Sequence, residues 1–338
     1  MILRYHTFEL KLKYPFKITR GVRTSNWVVL IEIEHDGTIG YGEASPSPRY
    51  GENIETVQNF LNKVDLSKFN DPFSLEEILN YVDSIEPGNT SAKAGIDIAL
   101  HDLVGKLLNI PLYKFFGLDK EKTPITSFTI GIDEPAMIER KVREAEEYPI
   151  LKVKLGLEND EEIIKTIRKV TDKPIRVDAN EGWKTKEVAL EKIKWLQDEG
   201  VEFVEQPMPA DDLDSVAWVR DKVDIPIIAD ENCIRLYDVP ILGKAYDGIN
   251  IKLMKCTGIR EAIKMINTAR AMKMKVMLGC MIESSVGITA GAQISPLVDF
   301  ADLDGNLLIT NDPFEGVKVK NGKLILPDEP GLGVKKLI

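Results

Sequence analysis

Residues 201–232 read VEFVEQPMPADDLDSVAWVRDKVDIPIIADEN, which is two short apolar runs separated by an amphipathic, helix-like stretch. The runs VEFVEQ (201–206) and IPIIAD (225–230) are rich in Val and Ile, and each ends in polar side chains. One strand followed by one crossover helix, repeated, is the pattern of parallel βα units. The stretch therefore predicts two neighbouring parallel strands with a helix packed between them.

The same alternation continues in both directions along the chain from Thr123 onward. Runs of this kind recur at a spacing of roughly 20 to 28 residues, the length of one strand and one helix. The eight runs are ITSFTI (125–130), ILKVKL (150–155), PIRVDA (174–179), VEFVEQ (201–206), IPIIAD (225–230), GINIKL (248–253), KVMLGC (275–280) and VDFAD (298–302). Eight consecutive βα units predict an α/β fold of the (β/α)8, TIM-like barrel type, with its active site at the C-terminal ends of the strands.

The N-terminal part of the chain differs, because strand-like segments precede helical ones. Residues 24–44 contain two β-rich runs joined by Asp36-Gly37, a dipeptide typical of tight hairpins. Helical patterns follow at about 53–64, 74–83 and 90–107, and Asn89-Thr90-Ser91 offers capping side chains to the last helix. These elements predict an α+β unit.

The predicted domain boundaries follow from this change of pattern. Residues 1–118 are expected to form an α+β capping domain, and residues 119–310 the barrel catalytic domain. Segment 317–326, with a turn at Asn321-Gly322, has the pattern of a hairpin. We expect residues 311–338 to return to the capping domain through it.

The composition is that of an ordinary globular enzyme. Of 338 residues, 43% are hydrophobic and 29% charged, and 54 acids against 44 bases give a net charge of −10. This acidic balance argues against nucleic acid or an anionic membrane as a partner. No segment approaches the roughly 18 apolar residues of a membrane helix, and the first residues lack a secretory hydrophobic region. A cytoplasmic location is therefore expected.

Cysteine and histidine chemistry is disfavoured. Cys233, Cys256 and Cys280 lack zinc-type spacing, which indicates reduced thiols. The three histidines lie in the first third of the chain, far from the other candidate residues, at positions His6, His35 and His101. A histidine-based triad or zinc site is therefore not expected.

Carboxylates end three consecutive apolar runs. Asp178 precedes Glu205 by 27 positions and Glu205 precedes Asp230 by 25, which is one βα unit each. Adjacent carboxylates repel one another unless a cation joins them, and oxygen ligands without Cys or His favour a hard ion, Mg²⁺. The alternative for each residue alone is that the aspartates cap helices and the glutamate pairs with a lysine. The pattern predicts one Mg²⁺ per subunit.

Lysines end the second and sixth runs. Lys152 and Lys154 are two apart and face the same side of a strand, with Lys154 nearer the barrel mouth. Lys252 ends the sixth run, across the barrel from the second. A nearby cation and a neighbouring lysine would lower a lysine pKa toward that of a general base. The pattern predicts an amine on each side of whatever the metal holds; the alternative is that these lysines only form salt bridges with the carboxylates.

Seven motifs lie in a characteristic order over essentially the whole chain: SAKA (91–94), KVK (152–154), DANEGW (178–183), EQP (205–207), ADE (229–231), NIKLMK (250–255) and MIES (281–284). In order and spacing they resemble the enolase superfamily, in its muconate-lactonizing subgroup, and are similar within it to dipeptide epimerases. A collinear set is far more specific than any of its short motifs alone.

This resemblance implies an isomerase that inverts the α-carbon of the C-terminal residue of a dipeptide, as L-Ala-D/L-Glu epimerases do. A substrate carboxylate would bind Mg²⁺, one lysine would remove the α-proton, and the metal would stabilise the enediolate. The opposite lysine would return a proton to the other face. The resemblance assigns Lys154 to the S (L) configuration and Lys252 to the R (D) configuration.

The resemblance also implies residues that bind the substrate. Asp302 and Asp304 match an Asp-x-Asp that holds the α-ammonium group in dipeptide epimerases, whereas a cap and turn is the alternative interpretation. Arg20 or Arg23, in a loop expected to close over the site, would bind an acidic side chain on the second residue; the alternative is an ordinary surface arginine. Further expected substrate contacts are Lys152, Thr129, Cys280 and Met281, and residues expected to orient ligands and bases are Asn180, Glu231 and Glu283.

Other functions remain open at this stage. Within the same superfamily, the alternative is an o-succinylbenzoate synthase or an N-succinylamino-acid racemase. From other classes, the alternatives are a metal-independent aldolase barrel that forms a Schiff base and a non-catalytic binding protein. The complete set of lysines and carboxylates argues against a pure binder. A homo-oligomer is compatible with the sequence.

Overall fold

The computed structural model describes residues 1–19 and 21–338. The N-terminal part opens with an antiparallel sheet of strands β1 (Ile2–Ile18), β2 (Gly21–His35) and β3 (Thr38–Ala44), in the order β1-β2-β3. Asp36 and Gly37 join β2 to β3 with φ values of 47° and 78°. Both values lie in the left-handed region that a two-residue hairpin turn requires, so the predicted hairpin is confirmed.

Helices follow this sheet along the chain. They are α1 (Ile54–Leu61), α2 (Leu75–Ser84), α3 (Thr90–Leu107) and α4 (Leu112–Phe115). The three predicted helices are confirmed, but the predicted capping of α3 is wrong. The carboxylate of Glu52 accepts hydrogen bonds from the amides of Thr90 and Ser91 at 2.5 and 3.1 Å, and Asn89 makes no side-chain cap. We call β1–β3 and α1–α4 the N-terminal unit.

Helix α3 is buried along almost its whole length, because β3 packs on one side and the barrel on the other. Gly42 permits the close approach of β3: a Cβ atom there would lie 2.0 Å from the carbonyl oxygen of Gly95. A helix buried all round does not show a strong amphipathic pattern. Helix α3 therefore forms the common wall of the two parts of the molecule.

In the described chain, eight parallel strands follow in sequential order, as the eight runs predict. They are β4 (Phe128–Ile130), β5 (Leu151–Lys154), β6 (Ile175–Asp178), β7 (Val201–Glu205), β8 (Ile227–Ala229), β9 (Gly248–Lys252), β10 (Lys275–Gly279) and β11 (Phe300–Asp302). Thr126 and Ala301 form a parallel bridge, and the amide of Ser127 donates to the carbonyl of Ala301 at 3.1 Å. These bonds join the first strand to the eighth and close the barrel.

Helices follow the barrel strands, and most of them lie on the outside of the barrel. They are α5 (Pro135–Glu144), α6 (Asp160–Arg168), α7 (Lys186–Asp198), α8 (Leu213–Arg220), α9 (Val239–Leu242), α10 (Leu253–Cys256), α11 (Ile259–Ala271) and α12 (Ser285–Ile294). Short 3-10 turns occupy Pro48–Tyr50, Lys120–Lys122, Leu236–Asp238, Ser295–Leu297 and Gly305–Leu308. In the part of the chain described, no helix is long and apolar enough to cross a membrane.

The C-terminal segment contains β12 (Phe314–Glu315), β13 (Lys318–Lys320), β14 (Lys323–Ile325) and β15 (Lys335–Lys336). Strands β13 and β14 form the predicted hairpin at Asn321-Gly322, which lies against Ile125 at the start of the barrel. The C-terminal segment contacts the N-terminal unit before and after the hairpin, rather than through it. The Phe314 ring packs against Tyr41, and the Leu332 amide donates to Asp102 at 2.7 Å.

Two buried carboxylates of the N-terminal unit cap helices of the barrel. Helix α11 begins after Gly258, which has no side chain to cap the helix. Asp97 of α3 caps it instead, accepting hydrogen bonds from the amides of Ile259 and Arg260 at 2.6 and 3.2 Å. Glu43 of β3 accepts from the amide of Ser284, which precedes α12, at 2.9 Å. These bonds satisfy amides that a helix leaves free at its N-terminus. They fix the N-terminal unit over the C-terminal ends of the strands.

Candidate active site

A cavity of about 450 Å³ lies at the C-terminal ends of the barrel strands, beneath the N-terminal unit. The N-terminal unit lines it with residues that include Phe16, Ile18, Val22, Arg23 and Arg49, and the barrel with residues that include Thr129, Lys152, Lys154, Asn180, Lys252, Cys280, Met281, Asp302 and Asp304. A concave site with a few convergent charged groups is typical of small-molecule binding. The fold thus gathers most of the predicted site residues in one place.

The three predicted metal ligands lie together beside this cavity. Asp178 ends β6 and pairs in register with Glu205, which ends β7, and Asp230 follows directly after β8. One carboxylate oxygen from each lies within 4.8 Å of the others, and the side chains are almost completely buried. The spacing of one βα unit in sequence therefore becomes adjacency in space.

Charges around these carboxylates separate their pKa values. Burial raises the pKa of Glu205 to about 8, and the charge of Asp178 adds to the effect. Burial also acts on Asp178, but the ammonium groups of Lys154 and Lys152 lower its pKa to about 2. Asp230 is likewise buried, yet Lys252 and Lys255 bring its pKa well below the usual value.

The donor set fits a hard divalent cation. The three residues offer only oxygen ligands, as Mg²⁺ prefers. Oε2 of Glu205 is buried and accepts no hydrogen bond, although Nζ of Lys152 lies 2.6 Å away. This oxygen therefore already faces a cation, and buried charges of this kind are paired with an opposite charge or coordinate a metal. Asp178, Glu205 and Asp230 could therefore hold such an ion.

The two predicted bases flank the carboxylates. Nζ of Lys154, at the end of β5, donates to Asp178 at 2.6 Å, and Nζ of Lys252, at the end of β9, donates to Asp230 at 2.8 Å. Each is 8% exposed, so each amine reaches the cavity without facing bulk water. Strands β5 and β9 are the second and sixth of eight, which places these lysines on opposite sides of the barrel mouth.

Burial and the neighbouring carboxylates act on the pKa of Lys252 in opposite directions. Burial alone would lower its pKa, but the carboxylates of Asp230 and Glu205 raise it above the usual value. The same carboxylates are the candidate cation ligands. A divalent cation among them would neutralise the charge that stabilises the ammonium form.

Lys152 lies at the centre of a buried ion network. Its Nζ is 2.7 Å from Oδ2 of Asp302, 2.6 Å from Oε2 of Glu205 and 3.3 Å from Oδ2 of Asp178. It is 1% exposed. Lys152 thus links the eighth strand, which carries Asp302, to two of the candidate metal ligands.

Asp302 and Asp304 are both buried, but their surroundings differ. Asp302 accepts hydrogen bonds from Ser127 and Lys152, both at 2.7 Å. Asp304 accepts one from the amide of Thr129 at 2.7 Å. Burial raises the pKa of Asp304 to about 7, and the charge of Asp302 contributes.

The remaining predicted residues are distributed around the cavity. The side-chain amide of Asn180 donates to Glu231 at 3.2 Å, next to the candidate metal ligands. Glu283 accepts from the amide of Met281 at 2.7 Å, and burial raises its pKa to about 8. Cys280 is half-buried and lines the cavity. The prediction for Arg20 falls outside the described residues.

Several residues with roles in this site were not singled out from the sequence. Nζ of Lys255 donates to Oδ1 of Asp230 at 2.5 Å. The side chain of Asn250 donates to Glu205 at 2.7 Å, and Oε1 of Gln206 accepts from the amide of Asp230 at 2.8 Å. All three belong to motifs named in the sequence, Gln206 to 205–207 and the other two to 250–255, and a further signal was the second lysine one helical turn after Lys252.

Arg49 joins the N-terminal unit to the barrel at the rim of the cavity. Its guanidinium group donates to both carboxylate oxygens of Glu181 at 3.0 and 2.9 Å. A bidentate pair of this kind fixes orientation as well as distance. Glu181 follows β6 with a φ of 64°, a conformation that few residues other than glycine adopt.

Comparison with known proteins matches both parts of the chain to described families. Residues 4–117 match the N-terminal domain of mandelate racemase and muconate lactonizing enzymes, and residues 136–336 match the enolase C-terminal domain-like family. The chain is 56% identical over 338 residues to the L-Ala-D/L-Glu epimerase of Bacteroides thetaiotaomicron, a match that covers 100% of this chain and 88% of that protein. It is 39% identical over 346 residues to the L-Ala-D/L-amino acid epimerase of Pedosphaera parvula, with 99% of each covered.

A solved structure supports the same relationship. The dipeptide epimerase from Cytophaga hutchinsonii, complexed with Mg and the dipeptide D-Ala-L-Val, has a TM-score of 0.93 to this structure at 32% identity, covering 99% of this chain and 95% of that chain. Fold, motif order and sequence identity therefore agree. This protein belongs to the enolase superfamily, in the group of mandelate racemase and muconate lactonizing enzymes.

Proposed function

We propose that this protein is a Mg²⁺-dependent dipeptide epimerase that inverts the α-carbon of the C-terminal residue. The observation that carries the proposal is the placement of Lys154 and Lys252 at the ends of β5 and β9, on either side of the buried carboxylates. A two-base epimerisation needs one group that removes a proton from one face of the α-carbon and another that delivers a proton to the opposite face.

The resident cation would be held by Asp178, Glu205 and Asp230. When bound, Mg²⁺ supplies positive charge that stabilises the negative charge developing on the substrate carboxylate during proton removal. Among the described residues, one cluster of carboxylates has ligand atoms close enough together to hold a metal ion. We therefore infer one ion per subunit.

The side chains of the site would carry out the proton transfers. Lys154 would take the α-proton of the S configuration, and Lys252 would deliver a proton to the opposite face; in the reverse direction their roles exchange. The acidic pair Asp302 and Asp304 would attract the α-ammonium group at the other end of the dipeptide.

Deuterium incorporation tests the two lysines separately. With L-Ala-L-Glu in D₂O, the unaltered protein should place deuterium at the α-carbon of Glu in both epimers. Lys252→Ala should lower epimerisation by about 10²- to 10⁴-fold, the usual worth of a general acid or base, while Lys154 still exchanges the α-proton of the L epimer. Lys154→Ala should show the reverse pattern with the D epimer.

Lys264→Ala is the matched control, because Lys264 lies on α11 and pairs with Glu76 on the surface. It should epimerise at the unaltered rate. Normal epimerisation by both Lys154→Ala and Lys252→Ala would show that the two-base mechanism is wrong.

We propose that the second residue of the dipeptide substrate has an acidic side chain, as in L-Ala-D/L-Glu. The support is the cation Arg23 in the cavity wall and the name of the relative at 56% identity. L-Ala-L-Gln has nearly the same shape as L-Ala-L-Glu without the charge. Its kcat/KM should be lower than that of L-Ala-L-Glu, and equal values for the two dipeptides would contradict an acidic preference.

A cytoplasmic location belongs to the same proposal. It is supported by three cysteines that form no disulfide, Cys233, Cys256 and Cys280. A homo-oligomer is compatible with the proposal, and light scattering of the purified protein would define its assembly.

A further inference from the structure

Two carboxylates of the candidate metal site each have one oxygen held by a side chain of the barrel. Oε1 of Glu205 accepts a hydrogen bond from the side-chain amide of Asn250 at 2.7 Å. Oδ1 of Asp230 accepts one from Nζ of Lys255 at 2.5 Å. We call the oxygen that is held in this way the outer oxygen of its carboxylate.

Asp178 shows the same arrangement, because its outer oxygen Oδ1 accepts from the backbone amide of Asn180 at 3.0 Å. The second oxygen of each carboxylate, which we call the inner oxygen, faces the ammonium group of a lysine instead. The inner pairs are Oδ2 of Asp178 with Lys154 at 2.6 Å, Oε2 of Glu205 with Lys152 at 2.6 Å, and Oδ2 of Asp230 with Lys252 at 2.8 Å. One oxygen of each carboxylate is thus held by the barrel, and the other faces positive charge.

The two side chains that hold outer oxygens have little freedom to move. Asn250 lies in the middle of β9 and is 0% exposed. Lys255 is also 0% exposed, and its Nζ donates in addition to the carbonyl oxygens of Asp230 and Asn250, at 2.5 and 3.1 Å. A carboxylate bonded to either group can turn both of its oxygens toward one ion only by breaking a buried hydrogen bond, which is unfavourable.

The number of oxygens that the site offers affects which ion it prefers. Ca²⁺ takes about six to eight oxygen ligands and accepts a carboxylate through one oxygen or through both, whereas Mg²⁺ is smaller and requires near-ideal octahedral geometry. With one inner oxygen each, Asp178, Glu205 and Asp230 offer three oxygens and leave the other positions to water or substrate. This supply suits the smaller ion and leaves the larger one short of ligands.

We infer that Asn250 and Lys255 are positioning residues that limit Glu205 and Asp230 to one oxygen each toward the cation, and that the site thereby selects Mg²⁺ over Ca²⁺. The inference rests on the cation site of the proposed function. It does not depend on the epimerisation of a dipeptide, so it is measured by ion binding without any substrate.

Calorimetric titration of the metal-free protein with MgCl₂ and, separately, with CaCl₂ gives the ratio of the Kd for Ca²⁺ to the Kd for Mg²⁺. Asn250→Leu nearly keeps the size of the side chain, changes no charge and releases Oε1 of Glu205. The ratio should fall by about 10-fold or more, because a lost orienting partner usually weakens binding of the proper ion by that factor while Ca²⁺ gains a ligand. Asn232→Leu is the matched control, since the Asn232 side chain donates to the carbonyl of Ala210 at 2.8 Å, and it should leave the ratio unchanged.

Two lysine variants separate the effect of charge from that of the held oxygen. Lys255→Met removes an ammonium group from the outer oxygen of Asp230, and Lys252→Met removes one from the inner oxygen of the same carboxylate. Both should tighten the binding of both ions, because a repelling charge is lost. Only Lys255→Met should lower the ratio. An unaltered ratio in Asn250→Leu or in Lys255→Met would overturn the inference for that residue.

A crystal structure of the unaltered protein with Ca²⁺ tests the same inference if these variants do not fold. Glu205 and Asp230 should each contact the ion through the inner oxygen alone, and contact through both oxygens would contradict the positioning role. If the unaltered protein binds neither ion, the proposed cation site is wrong and the inference falls with it. If it binds Mg²⁺ but epimerises no dipeptide, the proposed function fails, and the titrations still decide the roles of Asn250 and Lys255.

Discussion

Replacing Asp97 with alanine tests how strongly the N-terminal unit holds the barrel. Asp97 is 0% exposed, and its two carboxylate oxygens accept from the amides of Ile259 and Arg260 at the start of α11. Asp97→Ala leaves both amides without acceptors, and an unsatisfied buried polar group costs about 1–3 kcal/mol. Gly258 cannot replace the lost cap, because it has no side chain. We therefore expect the free energy of unfolding to fall by about 2–4 kcal/mol.

Urea denaturation followed by circular dichroism measures this loss. Asp212→Ala is the matched control, because Asp212 caps its own helix α8 through the amide of Ser215 at 3.2 Å in a partly exposed position. Its loss should cost about 1 kcal/mol, typical of an N-cap. Asp97→Asn keeps one acceptor oxygen and should give an intermediate value. If Asp97→Ala loses no more stability than Asp212→Ala, capping between the two parts of the molecule contributes little to their association.

Two further predictions concern packing and acid stability. Gly42→Ala should lower the free energy of unfolding by about 1–3 kcal/mol or more in urea denaturation. The new Cβ would lie 2.0 Å from the carbonyl oxygen of Gly95 and force β3 away from α3. Unchanged stability would mean that these two elements separate without cost. Asp83 is partly buried, which raises its pKa, but Arg235 and Lys93 lower that pKa to about 2 from the ordinary 3.8. The contribution of Asp83 to stability is therefore present above pH 3.8 and is lost as the pH falls toward 2. The free energy of unfolding of the unaltered protein should therefore fall more steeply over that range than that of Asp83→Asn, and parallel curves would contradict the argument.

Local sequence patterns were sufficient to predict the barrel. Each of the eight apolar runs contains one of the eight parallel strands, because parallel strands are buried on both faces and are therefore mostly apolar, and a crossover helix separates one from the next. The register of Asp178 beside Glu205 follows from the same spacing. Adjacent strand ends were thus predictable from counting alone.

Contacts between distant segments were not predictable in this way. Lys152 and Asp302 are 150 positions apart, and nothing in either run shows that they form an ion pair. The capping of α3 illustrates the same limit, since Glu52 outcompetes the local candidate Asn89 through a contact made only in the folded chain. Side-chain partners of this kind depend on how elements pack, which a pattern of residue types does not encode.

The Asp102 carboxylate bonds to segments of the chain that are synthesised at very different times. It accepts hydrogen bonds at 2.7 Å from the amides of Tyr41 and Leu332, and Leu332 follows Asp102 by 230 positions. At roughly 5–20 residues per second, a ribosome needs about 10 to 50 seconds to cover that distance. During this interval α3 has left the ribosome without the barrel that covers one of its sides. The N-terminal unit, although synthesised first, is therefore completed only when the chain beyond the barrel emerges.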